Sequence, residues 1–252
     1  MIPGLSAAVL SRGFLPTHIA GCKLWLRADR GLWQDAARTT PATADGDPIG
    51  AWEDLSGNGN HATQSTAAAK PTLKLGVMNG QPVIRFDGVD DWLATGNLSL
   101  TSFTIILVFK ASAPTSIVYE HSPNVNTNDG NYMLATTAAT VAVKRSGLMS
   151  AKNLSVNWGN DNIMRIARQN YEGTHASHTL SLNGTVQTLT DHTVNNPGTI
   201  AANTPLYLGA RGGVSNYATC DFAEMIVYSP ALSAEEKRNE RYCGSRYAIT
   251  VS

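Results

Sequence analysis

The sequence predicts an all-β sandwich, and three observations carry that prediction. Residues 103–110 read FTIILVFK, with Phe103, Ile105, Leu107 and Phe109 on one face of an extended chain and Ile106 and Val108 on the other. Successive strand residues point to opposite faces, so a segment apolar on both belongs in the middle of a packed sandwich. Residues 180–186 read LSLNGTV, an alternating run broken by Asn183-Gly184. Asn-Gly adopts the positive φ angles of a two-residue hairpin turn, and Asn79-Gly80 marks a second such turn. Third, charged residues make up only 15% of the chain, against roughly 25% in ordinary soluble domains. Asn, Thr, Ser and Gly carry the polar balance instead, which suits sheets and turns.

The elements follow in order. Residues 1–20 are mildly apolar but interrupted by Pro3, Gly4 and Arg12, so they read as an N-terminal arm and not as a secretory signal. The remainder, 21–252, reads as one domain, because all-β domains commonly reach this length. Short strands are expected at Val83–Phe86, before Gly88, and at Leu206–Leu208, between Pro205 and Gly209. Another runs over Phe222–Tyr228 and closes at Ser229-Pro230. One helix is expected over 234–243 (AEEKRNERYC), with Ser233 and Glu236 as a capping box and Gly244 as its stop. Its polarity places it on the surface. Cys22, Cys220 and Cys243 show no CxxC pattern, which argues against zinc. Buried free thiols are expected, with a Cys22 bridge the alternative if the chain ends meet.

Nineteen basic residues balance nineteen acidic ones, without a run of like charge, so no nucleic-acid partner is expected. No apolar stretch approaches the roughly 20 residues of a bilayer-crossing helix, so no membrane insertion is expected.

GCKLWLRAD (21–29), AWEDLSGNGNHATQ (51–64) and PVIRFDGVDDWL (82–93) together resemble one family, the laminin-G-like, concanavalin A-like lectin/glucanase jelly rolls of bacterial and phage proteins. FTIILVFK (103–110), LSLNG (180–184), LYLGAR (206–211) and FAEMIVYSPALSAEEKRNERY (222–242) continue the resemblance, which covers roughly residues 21–250. It implies a jelly-roll sandwich of two antiparallel sheets with about six or seven strands each and adjacent chain ends. The fold hosts lectins, glycosidases, lyases, adhesion modules and virion proteins, so function must be argued from a site.

Catalysis is not expected. Glycoside hydrolysis needs two carboxylates about 5–9.5 Å apart. The E-x-D-x-x-E strand that the resemblance would imply for a glucanase is absent, and Glu53-Asp54 and Asp90-Asp91 are adjacent residues that point apart on a strand. Neither the Gln-x-His strand nor the Tyr-x-Lys segment of jelly-roll lyases occurs, and there is no G-x-S-x-G elbow. His175 and His178 are expected as a solvent-exposed pair.

Calcium is the cofactor to consider. It takes six to eight oxygens from loops, and Asp54, Asn58 and Asn60 in DLSGNGN, or Asp87 and Asp90 in DGVDD, supply such oxygens. The same residues also form ordinary Asx and glycine turns without metal. Cell-surface glycan binding needs aromatic platforms beside polar groups. The candidates are Tyr132 with Asp129 and Asn131, then Trp158, then Tyr217. Trp25, Trp52 and Trp92 are expected to pack within the strands. Leu10, Phe14 and Leu15 of the arm are candidates for contact with virion proteins or a second copy. The expectation is a non-catalytic structural or adhesion protein, a phage virion component of the head-decoration or tail-associated kind. The alternative is a carbohydrate-binding module or lectin-like adhesin at the bacterial surface or outside the cell.

Overall fold

The computed structural model describes residues 13–111, 116–135, 139–154, 164–200, 202–233 and 236–252. Two antiparallel sheets pack face to face as a jelly-roll sandwich. One has eight strands, in the order Thr185–Val186, Thr179–Leu182, Arg165–Tyr171, Phe103–Ala111, Thr219–Tyr228, Gln81–Asp87 and Thr72–Met78, with Cys22–Arg27 as the eighth. The other has ten, in the order Thr190–Thr193, Leu148–Leu154, Ala139–Arg145, Gly130–Ala135, Ser116–His121, Ala202–Leu208, Leu93–Leu100, Ala62–Thr63, Ala51–Trp52 and Leu32–Trp33. Both sheets exceed the expected strand number because they include two-residue strands such as Ala51–Trp52, too short for a sequence pattern to reveal.

The strand Phe103–Ala111 lies between Arg165–Tyr171 and Thr219–Tyr228, and both of its faces are buried. Phe103, Ile105, Leu107 and Phe109 enter the core between the sheets. Ile106 and Val108 join a second layer with Trp25, Ile166, Ile226 and Tyr228, covered by Cys243 and Tyr247. Thr219–Tyr228 serves two neighbours on one side: residues 219–222 pair with Gln81–Asp87 and residues 224–228 with Cys22–Arg27. The register shift between Phe222 and Glu224 marks the change. The first long strand thus pairs with the last, which brings residue 22 beside residue 228. Both Asn-Gly turns form, with positive φ at Asn79, Gly80, Asn183 and Gly184. Pro205 sits where the register shifts against the neighbouring strand, a position that tolerates a missing N–H.

The helix corrects the sequence reading. It spans Arg238–Tyr247, begins at Lys237 without a side-chain cap, and ends at left-handed Ala248. Glu236 pairs with Arg238 instead of closing a capping box on Ser233. Gly244 lies inside the helix; a Cβ there would meet Val251 at 2.6 Å and the Ile249 carbonyl at 2.7 Å. It admits the returning chain and stops nothing. Nor is the polar sequence a solvent-facing one: Asn239 and Glu240 are buried. The Asn239 side-chain amide lies 3.0 Å from the Tyr228 hydroxyl, while Glu240 pairs with Arg168 at 3.3 Å and accepts the Ser181 hydroxyl at 2.9 Å. Burial of Glu240 is tolerable because both of its carboxylate oxygens are hydrogen-bonded.

The end of the predicted arm packs on this helix. Phe14 meets Tyr242 edge-on at 6.0 Å and lies under the Arg238 guanidinium, and the Pro16 carbonyl accepts the Tyr228 hydroxyl at 2.8 Å. Leu15 is 41% exposed. Leu10 lies outside the described residues. All three cysteines are free, and burial pushes the Cys22 thiol up to about 12.

Candidate functional site

The ten-stranded sheet turns one face away from the core, and on it a strip of aromatic and charged side chains crosses adjacent strands. Tyr132, Glu120 and Tyr207 are direct cross-strand neighbours, so their side chains share a face. Leu206 and Leu208 enter the core, which turns Tyr207 outward. Leu93 does the same for Trp92, whose ring lies 6.0 Å from that of Tyr207. Tyr207 and Trp92 are both part-exposed.

Glu120 anchors the strip. It has 0% exposure, yet both carboxylate oxygens are used. Oε2 accepts Arg211 Nε–H at 2.9 Å; Oε1 accepts the Ser122 hydroxyl at 3.3 Å and the Val125 N–H. A buried carboxylate persists only with such partners. The Arg211 guanidinium lies over the Tyr132 ring at 5.8 Å, a favourable cation–π placement. Burial raises the Tyr132 hydroxyl's pKa, with Arg211 opposing the shift. Arg211 belongs to a loop closed by its pairing with Ser215. Gly213 in that loop has φ 71° and abuts Trp92, where a Cβ would come within 2.8 Å of the ring. Only glycine lets the backbone lie there. The Tyr217 hydroxyl donates to the Gly213 carbonyl at 3.3 Å and braces the loop.

The predicted sugar-binding residues therefore separate. Tyr132 and Tyr217 support the strip, Tyr132 from beneath Arg211 with 8% of its surface exposed. Asn131 alternates to the opposite side, is fully buried, and contacts His121. Asp129 accepts the Ser146 N–H at 2.7 Å and so fixes a hairpin turn. Trp158 lies outside the described residues. Trp92, expected to pack within its strand like buried Trp25 and Trp52, is instead part-exposed; Tyr207, Glu120 and Arg211 carry no such sequence expectation. Trp92 had a usable signal, since it directly precedes core-facing Leu93; the Glu120–Arg211 pair spans 91 residues and had none.

The two loops considered for calcium differ. Asp54 Oδ1 accepts the Trp25 and Ser56 N–H groups at 3.0 and 2.9 Å, and Oδ2 accepts the Ser56 hydroxyl and Asn60 N–H at 2.8 and 3.0 Å. Asn58 and Asn60 turn amide nitrogens, not oxygens, toward the carbonyls of Cys22 and Lys23, each at 2.9 Å. This loop is a hydrogen-bonded turn. Asp87 and Asp90, joined by Asp91, instead bring carboxylate oxygens within 4.8 Å of one another, the donor set a hard cation would take. Burial first, then the charges of Asp87 and Asp90, push Asp91 up to about 6.

His175 and His178 are not the expected solvent-exposed pair: they are 8% and 0% exposed. They belong to one directed chain. The Tyr119 hydroxyl donates to Gln169 Oε1, leaving Gln169 Nε2 to donate to His178 Nε2 at 2.9 Å. His178 Nδ1–H then donates to Ser150 Oγ at 3.3 Å, and the Ser150 hydroxyl to His175 Nδ1 at 2.8 Å. His175 Nε2–H ends the chain on Asp191 at 2.7 Å. Each ring nitrogen has one consistent role. Burial, with Lys152 and His175 adding to it, pushes His178 down to about 3, so it stays neutral. In a catalytic triad serine faces Nε2 and the acid Nδ1. Here the order is reversed and Ser150 has 0% exposure, so the chain braces the sheet edge.

No protein-family model matches the sequence, and no curated protein matches it. Its fold is similar to solved ones. The binding domain of Paraclostridial mosquitocidal protein 1 aligns over 90% of this chain and 52% of its own, at 14% identity and a TM-score of 0.61. The solved botulinum neurotoxin type C structure, whose cell entry depends on interaction with two ganglioside molecules, aligns over 88% of this chain and 51% of its own, at 11% identity and a TM-score of 0.59. Trypanosoma rangeli sialidase aligns over 93% of this chain and 34% of its own, at 12% identity and a TM-score of 0.55. The chain thus spans about half the length of the first two and a third of the last. Its fold is that of an antiparallel β-sandwich.

Proposed function

We propose that this chain is a non-catalytic glycan-binding module, a lectin-like jelly roll of the laminin-G and concanavalin A kind. The observation that carries the reading is the strip of Trp92 and Tyr207 beside Arg211. Flat, part-exposed rings offer a sugar an apolar face to rest on, and the guanidinium offers hydrogen-bond donors at its edge. The likeness to a toxin binding domain, and to a neurotoxin whose cell entry depends on interaction with two ganglioside molecules, supports the same reading. A bacterial cell surface or a phage particle is the proposed setting.

Screening against an oligosaccharide array tests it. The wild type should retain defined glycans, and Trp92→Ala should lose them while keeping the wild-type β spectrum. A wild type that retains no glycan, or a Trp92→Ala variant that binds as well, overturns the reading. A second reading, assembly into a virion through the N-terminal arm, is favoured by Leu15, left exposed beside docked Phe14. Deleting residues 1–12 together with Leu15→Ser should then abolish incorporation into particles without affecting glycan retention.

A further inference from the structure

We infer that the ligand of this face carries a carboxylate, seated end-on against Arg211; the inference rests on the glycan-binding reading. The guanidinium has five N–H donors in a fixed plane. Only Nε–H is used, by Glu120 at 2.9 Å. The two terminal nitrogens bond to no described residue, and neither is sealed from solvent. The side chain as a whole is nevertheless 15% exposed, so it is held in place. Glu120 fixes the plane from one edge, and the Tyr132 ring supports it from beneath at 5.8 Å.

What remains open is the edge bearing two parallel N–H groups. It contains donors only, and its geometry matches the two oxygens of a carboxylate. A neutral sugar hydroxyl engages one such donor and leaves the other to water. The carboxylate partner cannot come from Glu120, whose oxygens are already taken by Arg211, Ser122 and Val125. Holding an arginine by a buried acid removes most of the rotamer entropy that binding would otherwise cost. Glu120, which holds it, is the direct cross-strand neighbour of Tyr207, a pairing that puts Cβ atoms about 4.5–5.5 Å apart, and the Trp92 ring lies 6.0 Å from that of Tyr207. That separation suits a ring stacked on the aromatics while its carboxylate, or that of the adjoining residue, reaches Arg211. The ligand class is therefore an acidic glycan, of the sialic or uronic type.

The test compares matched probes: sialyllactose and a glucuronate oligosaccharide, each beside its carboxyl-reduced form. Calorimetry or surface plasmon resonance with the full chain should show at least one acidic probe bound, and carboxyl reduction should weaken it roughly 10- to 100-fold, as expected for charge-assisted hydrogen bonds. Arg211→Gln should cause a similar loss for the acidic probe and little change for the reduced one. Arg211→Lys, which keeps the charge but not the fork, should also bind weakly and covers the case in which Arg211→Gln misfolds. Equal binding of acidic and reduced probes, with Trp92→Ala abolishing both, overturns the carboxylate inference and leaves the glycan reading intact. If none of these probes binds but the array finds a neutral glycan, the inference likewise fails alone. If no glycan of any kind binds, both fail.

Discussion

The loops 54–60 (DLSGNGN) and 87–91 (DGVDD) are both short segments that combine Asp with Gly, and each follows a strand of the sandwich. Their carboxylates live in opposite circumstances. Asp54 stands alone among four donors, three of them backbone N–H groups, and ties residues 25, 56 and 60 together. Asp87, Asp90 and Asp91 face each other, and the group they bury, Asp91, has one N–H donor, from Asp87. An Asp/Gly-rich segment therefore says that a turn will form, but not whether its charge will stabilise the fold. That depends on which groups the tertiary structure aims at it.

The largest effect should come from Asp54→Ala. The substitution leaves the N–H groups of Trp25, Ser56 and Asn60 without their acceptor, in a site only 6% exposed. Unsatisfied buried donors cost about 1–3 kcal/mol each when water cannot replace the partner. A net loss of roughly 3 kcal/mol corresponds to a drop in melting temperature of roughly 6–12 °C for a domain of this size. Asp90→Ala should leave the melting temperature unchanged or raise it, because its carboxylate mainly repels its neighbours. Calorimetry on the two variants checks the contrast, and equal losses would erase it.

The sandwich was legible in the sequence because strand alternation and Asn-Gly turns are local signals. The doubly apolar FTIILVFK segment placed itself correctly, since both a facing sheet and the helix layer cover it. The helix boundaries were not legible. Gly244 looks like a stop, and only the returning residues 249–251 make it a packing glycine. The polarity of Asn239 and Glu240 hid the partners waiting on other strands. The candidate site was half legible. Tyr132 and Tyr217 were found, but as supports, because proximity in sequence to polar loops does not say which side of a strand faces water. The Glu120–Arg211 pair and the buried histidine chain exist only through long-range pairing, which no spacing rule anticipates.

A smaller effect, of opposite sign, is expected from Asp91→Asn. With Asp91 raised to about 6 in the fold, against roughly 3.9 in an unfolded chain, the folded state holds a proton between about pH 4 and 6 that the unfolded state has lost. Stability therefore falls as pH rises through that window and stays lower above it. Asparagine is neutral throughout, and its side-chain oxygen can still accept the Asp87 N–H. The variant should melt higher than wild type at pH 7.5 and at about the same temperature at pH 4. A variant that melts lower at pH 7.5, or keeps the wild-type slope between pH 4 and 6, refutes the strained arrangement.

The smallest effect tests whether loop 54–60 owes anything to calcium. Asn60→Ala removes one side-chain hydrogen bond, to the Lys23 carbonyl, from a part-exposed site. Such a bond contributes about 1 kcal/mol net, or roughly 2–4 °C in melting temperature. The size matters less than its dependence on calcium. A cation that binds only the folded state stabilises it by mass action, so its effect grows with concentration and vanishes with chelator. If the loop is closed by protein groups alone, the difference between wild type and Asn60→Ala should be the same in excess calcium and in excess chelator. Any general response to calcium should then disappear in Asp90→Ala and persist in Asn60→Ala, which assigns it to residues 87–91. A calcium-dependent difference between wild type and Asn60→Ala would instead make the Asn60 side chain part of a metal site, with its amide turned from the Lys23 carbonyl to present oxygen.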